Sequence, residues 1–343
     1  MQNEIKENTK LLKEDGTLNV RSGWARRNLF DYDRKLVRHR GRLKEWDFYQ
    51  ISNGKYMVQI SFFNITVASA ATASIVELKT GKRLCSTSLS LFTRRRYALP
   101  VKSDQPNFFR YDKDGTYLEF DTASTWKKLL FGGRTKGKQF KMHFKMTFPE
   151  NQENITTVTP FDGKPTAFFL TTKQNCMPCE GVVTWGNVEY KFDKNDTFAV
   201  MDWGRGVWPH KNVWYWGNGS ACIDGKIFGF DVTWKIGNPS EGTETCLFYD
   251  GKAHKIGAVD IEKFPGDDNG WMKPWHIKSE DGRFDVTMTP FFDNKSGMVL
   301  FGALGMKTHQ VHGLWNGFAV LDDGTRVEIK NMYAFCEYVV NAW

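Results

Sequence analysis

Along most of the chain, apolar and polar residues alternate with a period of two. "KGKQFKMHFKMTF" puts Phe140, Met142, Phe144, Met146 and Phe148 on one side and Lys141, His143 and Lys145 on the other. That pattern predicts strands with one buried face. "KIFGFDVTWKIG" does the same, with Phe228, Phe230, Val232, Trp234 and Ile236 opposite Asp231, Thr233 and Lys235. "KYMVQISFFNITV", "RFDVTMT", "MVLFGALGM" and "GFAVLDDGTRVEI" also read as strands. Between such segments stand "KDGT", "DDGT", "EDGR" and "IDGK", hairpin signals in which Gly accepts positive φ without strain. Helical periodicity is scarce; only residues 1–14 and part of 31–45 are expected to be helical. The predicted fold class is all-β.

Composition sharpens this picture. Phe, Trp and Tyr make up 15% of the 343 residues, including 13 Trp, and aromatic residues suit a pleated, half-buried surface. No apolar run is long enough for a transmembrane helix. The first residues, "MQNEIKENTKLLKEDG", lack the apolar stretch of a secretion signal, so a cytoplasmic location is expected. The six cysteines are scattered and fit reduced thiols. "CMPC" (Cys176 to Cys179) has no second half with which to build a zinc site, and reads as a loop pair.

Charge is uneven along the chain. Residues 79–145 hold 16 Lys+Arg against 5 Asp+Glu, a local +11, whereas residues 146–343 hold 18 against 25. Such asymmetry can mark contact with nucleic acid or an anionic membrane. The alternation within "KGKQFKMHFKMTF" favours a solvated strand face instead, and no nucleic-acid partner is expected.

A weak internal repeat divides the chain. "GWARRNLF" (Gly23 to Phe30) matches "DWGRGVWP" (Asp202 to Pro209), and each is followed by an aromatic strand, a Gly-Lys turn and a second strand. The expected division is an N-terminal extension (1–22), a first β domain (23–196) and a second (197–343). Curling each sheet would protect its edges and leave a cavity.

"GWARRNLFDYDR" together with "MDWGRGVWPHKNVWYWGNGS" resembles a bacterial family of unknown function. The likeness runs from about residue 20 to the end. That family is in turn remotely similar to the tandem lipocalin-like superfamily of carotenoid 1,2-hydratase, AttH-like proteins and tocopherol cyclase. The resemblance implies two lipocalin-like antiparallel barrels or curved sheets in tandem, with a pocket for an apolar ligand. It fixes no reaction, because folds host many.

The chemistry-bearing stretch is residues 201–219, where four tryptophans accompany Asp202, Arg205, His210 and Asn212. A strand places Phe198, Val200 and Asp202 on one face, then breaks at Gly204-Arg-Gly206. Asp202 among indoles would be partly desolvated and could donate a proton, unless Arg205 pairs with it structurally. If residues 208–216 are extended, Trp208, His210, Asn212, Trp214 and Trp216 share a face. Three indoles interleaved with an imidazole and an amide suit a small-molecule pocket better than a core. The expected catalytic residues are therefore Asp202, Arg205 and His210. The expected ligand-binding residues are Trp203, Trp208, Asn212, Trp214 and Trp216.

His309 and His312 stand three apart, which puts them on opposite faces of a strand, and no metal site is expected. No dinucleotide loop, phosphate loop or nucleophile elbow occurs, so no cofactor is expected. These residues suggest a cofactor-independent hydratase, isomerase or cyclase for an apolar unsaturated molecule. A binding protein with the same pocket is the alternative, and a carbohydrate-active protein with a second carboxylate (Asp47, Asp231 or Glu337) the third reading.

Overall fold

The computed structural model describes residues 2–94, 96–238, 242–262, 270–300 and 304–342. The period-two pattern is realised as two curled antiparallel sheets in tandem, the first a nearly closed barrel and the second a half-barrel. No α-helix occurs among the described residues. The two segments expected to be helical are not helices. Thr9–Lys10 pairs in parallel with Phe30–Asp31, and Leu11 and Leu12 are buried in the first core. Residues 31–45 contain only short 3-10 turns at Arg34–Leu36 and Arg40–Arg42 before strand Leu43–Ser52. Pairing with the extended segment at Leu29–Asp31, rather than a helical ladder, satisfies the backbone of residues 9–11.

The first sheet is organised around strand Phe168–Trp185. Its first half lies between strands Ile155–Pro160 and Phe198–Val207, and its second half between Lys138–Thr147 and Val188–Phe192. A register shift between Gln174 and Met177 lets one strand serve both halves. "CMPC" falls in this shifted stretch, within a strand rather than in a loop, and Cys176 takes a left-handed φ of 59°. The barrel interior is filled by Tyr49, Phe62, Phe109, Phe120, Phe131, Phe140 and their neighbours, so it is a core and not a ligand cavity.

Phe198–Val207 also pairs with Leu43–Ser52 and sits in the middle of the first sheet. The chain leaves that sheet at 208–210 and enters the second with strand Lys211–Ile223. The change of sheet therefore comes one strand later than residue 197. Arg205 explains why this strand stays. Its buried guanidinium donates to Asp47 (2.8 Å) and to the carbonyls of Trp46 (2.6 Å), Gly204 (2.8 Å) and Pro100 (2.8 Å). It also stacks on Trp203 at 4.1 Å.

The strand does not break at Gly204 or Gly206. A Cβ at Gly204 would lie 2.1 Å from the Trp46 indole, and one at Gly206 would lie 2.3 Å from the Phe168 carbonyl and 2.9 Å from Trp208. The glycines let two indoles lie flat across the backbone.

The second sheet is antiparallel throughout, with Lys211–Ile223 between Lys226–Trp234 and Arg326–Ala342. "MVLFGALGM" is not one strand. One strand ends at Leu300 and the next begins at Leu304, while residues 301–303 lie outside the described residues. Phe228, Phe230 and Val232 point into this sheet's own core, with Trp275 and Trp315. Their alternates Asp231 and Thr233 are buried too, against the first sheet.

Replacing Gly204 with Ala should therefore cost about 1–3 kcal/mol through overpacking. Gly41→Ala, with nothing within 4 Å and no positive φ, should be close to neutral. Urea midpoints of the two variants check this; equal midpoints would show that the Trp46 packing has no such constraint.

A buried acidic cluster between the sheets

Alternation decides which side chains meet between the sheets. Strand Leu43–Ser52 contributes Trp46, Phe48 and Gln50, while its other face sends Glu45, Asp47 and Tyr49 into the barrel. Likewise Asp202 faces the second sheet, and Trp203 and Arg205 face the first core. Asp202 and Arg205 therefore cannot pair, because an odd and an even residue of one strand point to opposite sides.

Asp202 pairs instead with Lys173, directly opposite on the neighbouring strand, at 2.6 Å. It also accepts from Trp46 Nε1 (3.0 Å) and the Thr171 hydroxyl (3.3 Å). Lys173 lies 3.7 Å from Glu244 and 4.3 Å over the Trp216 ring, and so joins the two sheets. Burial opposes its charge, but Asp202, Glu244 and Asp231 outweigh that and raise its pKa above the ordinary lysine value.

Three further carboxyl groups lie on this face of the second sheet. Asp231 accepts from Trp216 Nε1 and Asn218, both at 3.0 Å, and its other oxygen is buried without a partner. Glu244 accepts from the Thr233 hydroxyl at 2.7 Å. Glu337 accepts from Trp214 Nε1 (3.2 Å) and Gln310 (3.3 Å), and Gln310 in turn accepts from Gln59 of the first sheet (2.9 Å).

Four carboxyl groups thus lie around Lys173, which pairs directly with Asp202 and Glu244, in a largely buried site where ionising all of them is costly. Burial pushes Glu337 up to about 7 and Asp231 up to about 8; nearby Asp202 adds to the first shift and Glu244 to the second. Burial raises Glu244 as well.

An aromatic wall closes one end of the cluster. Trp208 touches Trp46 (5.7 Å), Trp214 (5.4 Å) and Phe169 (4.6 Å), and its indole N–H is buried without a partner. Beyond it, Phe161 (5.9 Å from Trp208) and Asn212 line a cleft of about 430 Å³ with Lys211, Val213, Lys235 and Asn238. At the other end a void of about 30 Å³ lies among Gln50, Ser52, Asn218 and Tyr333, room for a water.

Of the residues expected at the site, the structure brings together Asp202, Trp208, Asn212, Trp214 and Trp216. His210 is exposed in a bend, because Pro209 has no N–H for a ladder and the chain is changing sheets there. Trp203 and Arg205 belong to the first core. Asn212 donates to the Pro209 carbonyl at 2.7 Å and shapes the cleft edge.

The residues that sequence reasoning missed as a group are Lys173, Glu244 and Trp46. Asp231 and Glu337 were candidates without a position. Lys173 left no clear signal, because it stands in the polar stretch "TTKQN" that follows the apolar "AFFL". His309 and His312 do point apart, His309 to Asp293 (2.8 Å) and His312 to the Tyr333 hydroxyl (2.8 Å).

Fold and site together define an all-β protein of two curled sheets with a buried, acid-rich cluster between them. The chain belongs to the DUF2804 family, a domain of unknown function whose model matches residues 2–343. This agrees with the kind of family that the two tryptophan motifs resemble. No curated protein matches the chain. Among solved structures it is similar to CghA, with 13% identity, 88% of each chain covered and a TM-score of 0.48. It is also similar to kievitone hydratase from Nectria haematococca, with 12% identity, 87% of this chain and 88% of that chain covered, and a TM-score of 0.48.

Two predictions follow from the cluster. Removing the ammonium with Lys173→Met should cost about 3–5 kcal/mol, because Asp202 and Glu244 would be left without their cation. Chemical denaturation measures it, and a loss below about 1 kcal/mol would contradict the pairing. The second concerns pH. Asp231 and Glu337 hold protons in the folded state that the unfolded chain, with ordinary values of 3.8 and 4.5, releases earlier. Their contribution to stability is complete below about pH 4 and declines as pH rises toward about 8. Urea midpoints should fall through that window, and Asp231→Asn should flatten the fall; an unchanged slope in that variant would show that Asp231 ionises normally.

Proposed function

We propose that the apposed sheet faces form the active site of a proton-transfer enzyme, a hydratase, isomerase or cyclase, for an apolar unsaturated small molecule. The observation that carries this reading is the excess of acid behind an aromatic wall. Four carboxyl groups around one ammonium keep a proton at neutral pH, and a purely structural contact has no use for that excess.

Glu337, with a pKa near 7, is the proton donor. Its O–H bond breaks as a C–H bond forms on the substrate alkene, leaving a carboxylate and a carbocation. Trp46, Trp208, Trp214 and Trp216 offer π faces to that cation and exclude bulk water. Water attack, loss of a different proton or internal C–C bond formation then gives hydration, isomerisation or cyclisation. In all three a proton is released at the end, from the attacking water, from a carbon beside the cation or from the cation that ring closure leaves, and it returns to Glu337. Asp202 serves as the counter-ion that holds Lys173, rather than as the acid. The substrate enters from the cleft beside Asn212 by displacing the Trp208 indole, whose unpartnered N–H gives up no hydrogen bond in moving.

A second reading, a binding protein without turnover, draws on the full set of partners around Asp202. In that case Asp202→Asn lowers stability and changes no chemistry.

The test incubates wild type, Glu337→Gln and Asp202→Asn with a cytosolic small-molecule extract in ¹⁸O-labelled water, followed by mass spectrometry, with thermal melting as the folding control. Turnover is expected in wild type and reduced about 100-fold or more in Glu337→Gln at an unchanged melting temperature. Co-purified ligand with no product in any of the three would leave the binding protein.

A further inference from the structure

We propose that the seam of the first barrel is a docking surface for an anionic lipid bilayer. The proposal stands apart from the inter-sheet site. Strands Lys82–Leu91 and Asn107–Lys113 are the two ends of the first sheet's main run, each laddered on one side only. Side chains bridge them instead of backbone. The Tyr111 hydroxyl meets Ser88 Oγ (2.8 Å) and Ser90 Oγ (3.2 Å), and Lys113 Nζ donates to the Leu89 carbonyl (2.9 Å).

The outward face along this seam carries large apolar groups: Leu89 is 37% exposed, Leu91 47%, Phe108 58% and Phe92 69%. An unpaired edge is ordinarily guarded by charge, and leucines on it invite contact. The run "SLSLFTRRRY" places arginines immediately after these residues. Arg94 and Arg96 are exposed. The turn that presents them is fixed: the Phe92 amide donates to Val67 O (2.6 Å), the Arg94 amide to Thr66 O (2.8 Å), and Asn64 donates to the Arg94 carbonyl (3.2 Å). Both Phe92 and Arg94 have left-handed backbone, with φ of 54° and 46°.

The charge on the surrounding segment selects the partner. Residues 79–145 carry a local +11, and two of their five acids, Asp112 and Glu119, are taken up by Arg110 at 2.8 and 2.5 Å. Separate apolar protrusions beside guanidinium groups match a fluid, negatively charged interface. A nucleic acid would leave the leucines and phenylalanines in water.

Flotation with vesicles of phosphatidylcholine alone, and of phosphatidylcholine mixed with phosphatidylglycerol, tests this. Wild type should float with the anionic vesicles and bind the neutral ones weakly. Phe92→Ser with Leu91→Ser should lower anionic-vesicle binding about tenfold. Arg94→Gln with Arg96→Gln should lower it about ten- to thirtyfold on anionic vesicles and leave the weak binding to neutral ones unchanged. The substituted side chains are exposed, so melting temperatures should stay at the wild-type value. No flotation of wild type at low salt would overturn the proposal. So would wild-type binding by the Phe92/Leu91 variant combined with complete loss in high salt, the mark of diffuse adsorption on the basic segment. Self-association abolished by the same variant, with no vesicle binding, would make the seam a contact between copies of the chain.

Discussion

An ammonium cannot be left in the dry space between two β-sheets without counter-charge, and the rest of this molecule is arranged around that constraint at Lys173. Its partner on its own sheet is Asp202, and its partner on the other is Glu244. The same ion that locks the central strands of the first sheet thereby holds the second sheet against them. Once these charges are in place, the indoles of Trp46, Trp214 and Trp216 are oriented by donating to the carboxylates, and Trp208 closes the end of the site against two of them.

The geometry depends equally on two glycines. Gly204 and Gly206 carry no side chain where Trp46 and Trp208 cross the strand, so the aromatic wall sits directly on backbone. Arg205, between them, points the other way and ties the same strand to Asp47 and to three carbonyls inside the barrel. One short stretch therefore supplies the floor of the inter-sheet site on one face and a buried staple for the core on the other. The barrel interior, which a lipocalin-like layout would suggest as the pocket, is filled, and the open volume lies at the junction of the sheets instead.

This arrangement buries more carboxyl groups than ammonium groups. A structural interface built for stability alone would favour apolar contacts, since burying carboxyl groups costs more than their pairing returns. Burial raises the pKa of both Glu337 and Asp231, and the proposed proton transfer rests on that shift. The outer surface shows a parallel departure, with leucines and phenylalanines exposed on a sheet edge beside arginines.

Alternation by itself determined most strands, their turns and the all-β class, because a period of two is a local property of the backbone; the tandem layout came from the repeated tryptophan motif and the resemblance it carries. It also determined that Asn212, Trp214 and Trp216 share a face and that His309 and His312 do not, but it grouped Trp208 and His210 with them, where the chain is changing sheets and His210 turns to solvent. It could not say what that face meets. Asp231 and Thr233 look like the solvent side of "KIFGFDVTW", and only the docking of a second sheet buries them. Asp202 and Arg205 look like an ion pair because they are close in sequence, yet the pleat sends them to opposite sides. Lys173, Glu244 and Glu337 are far apart along the chain and come together only because two strand faces stack. Which partner neutralises a buried charge is a property of that packing, and the tertiary structure alone decided it.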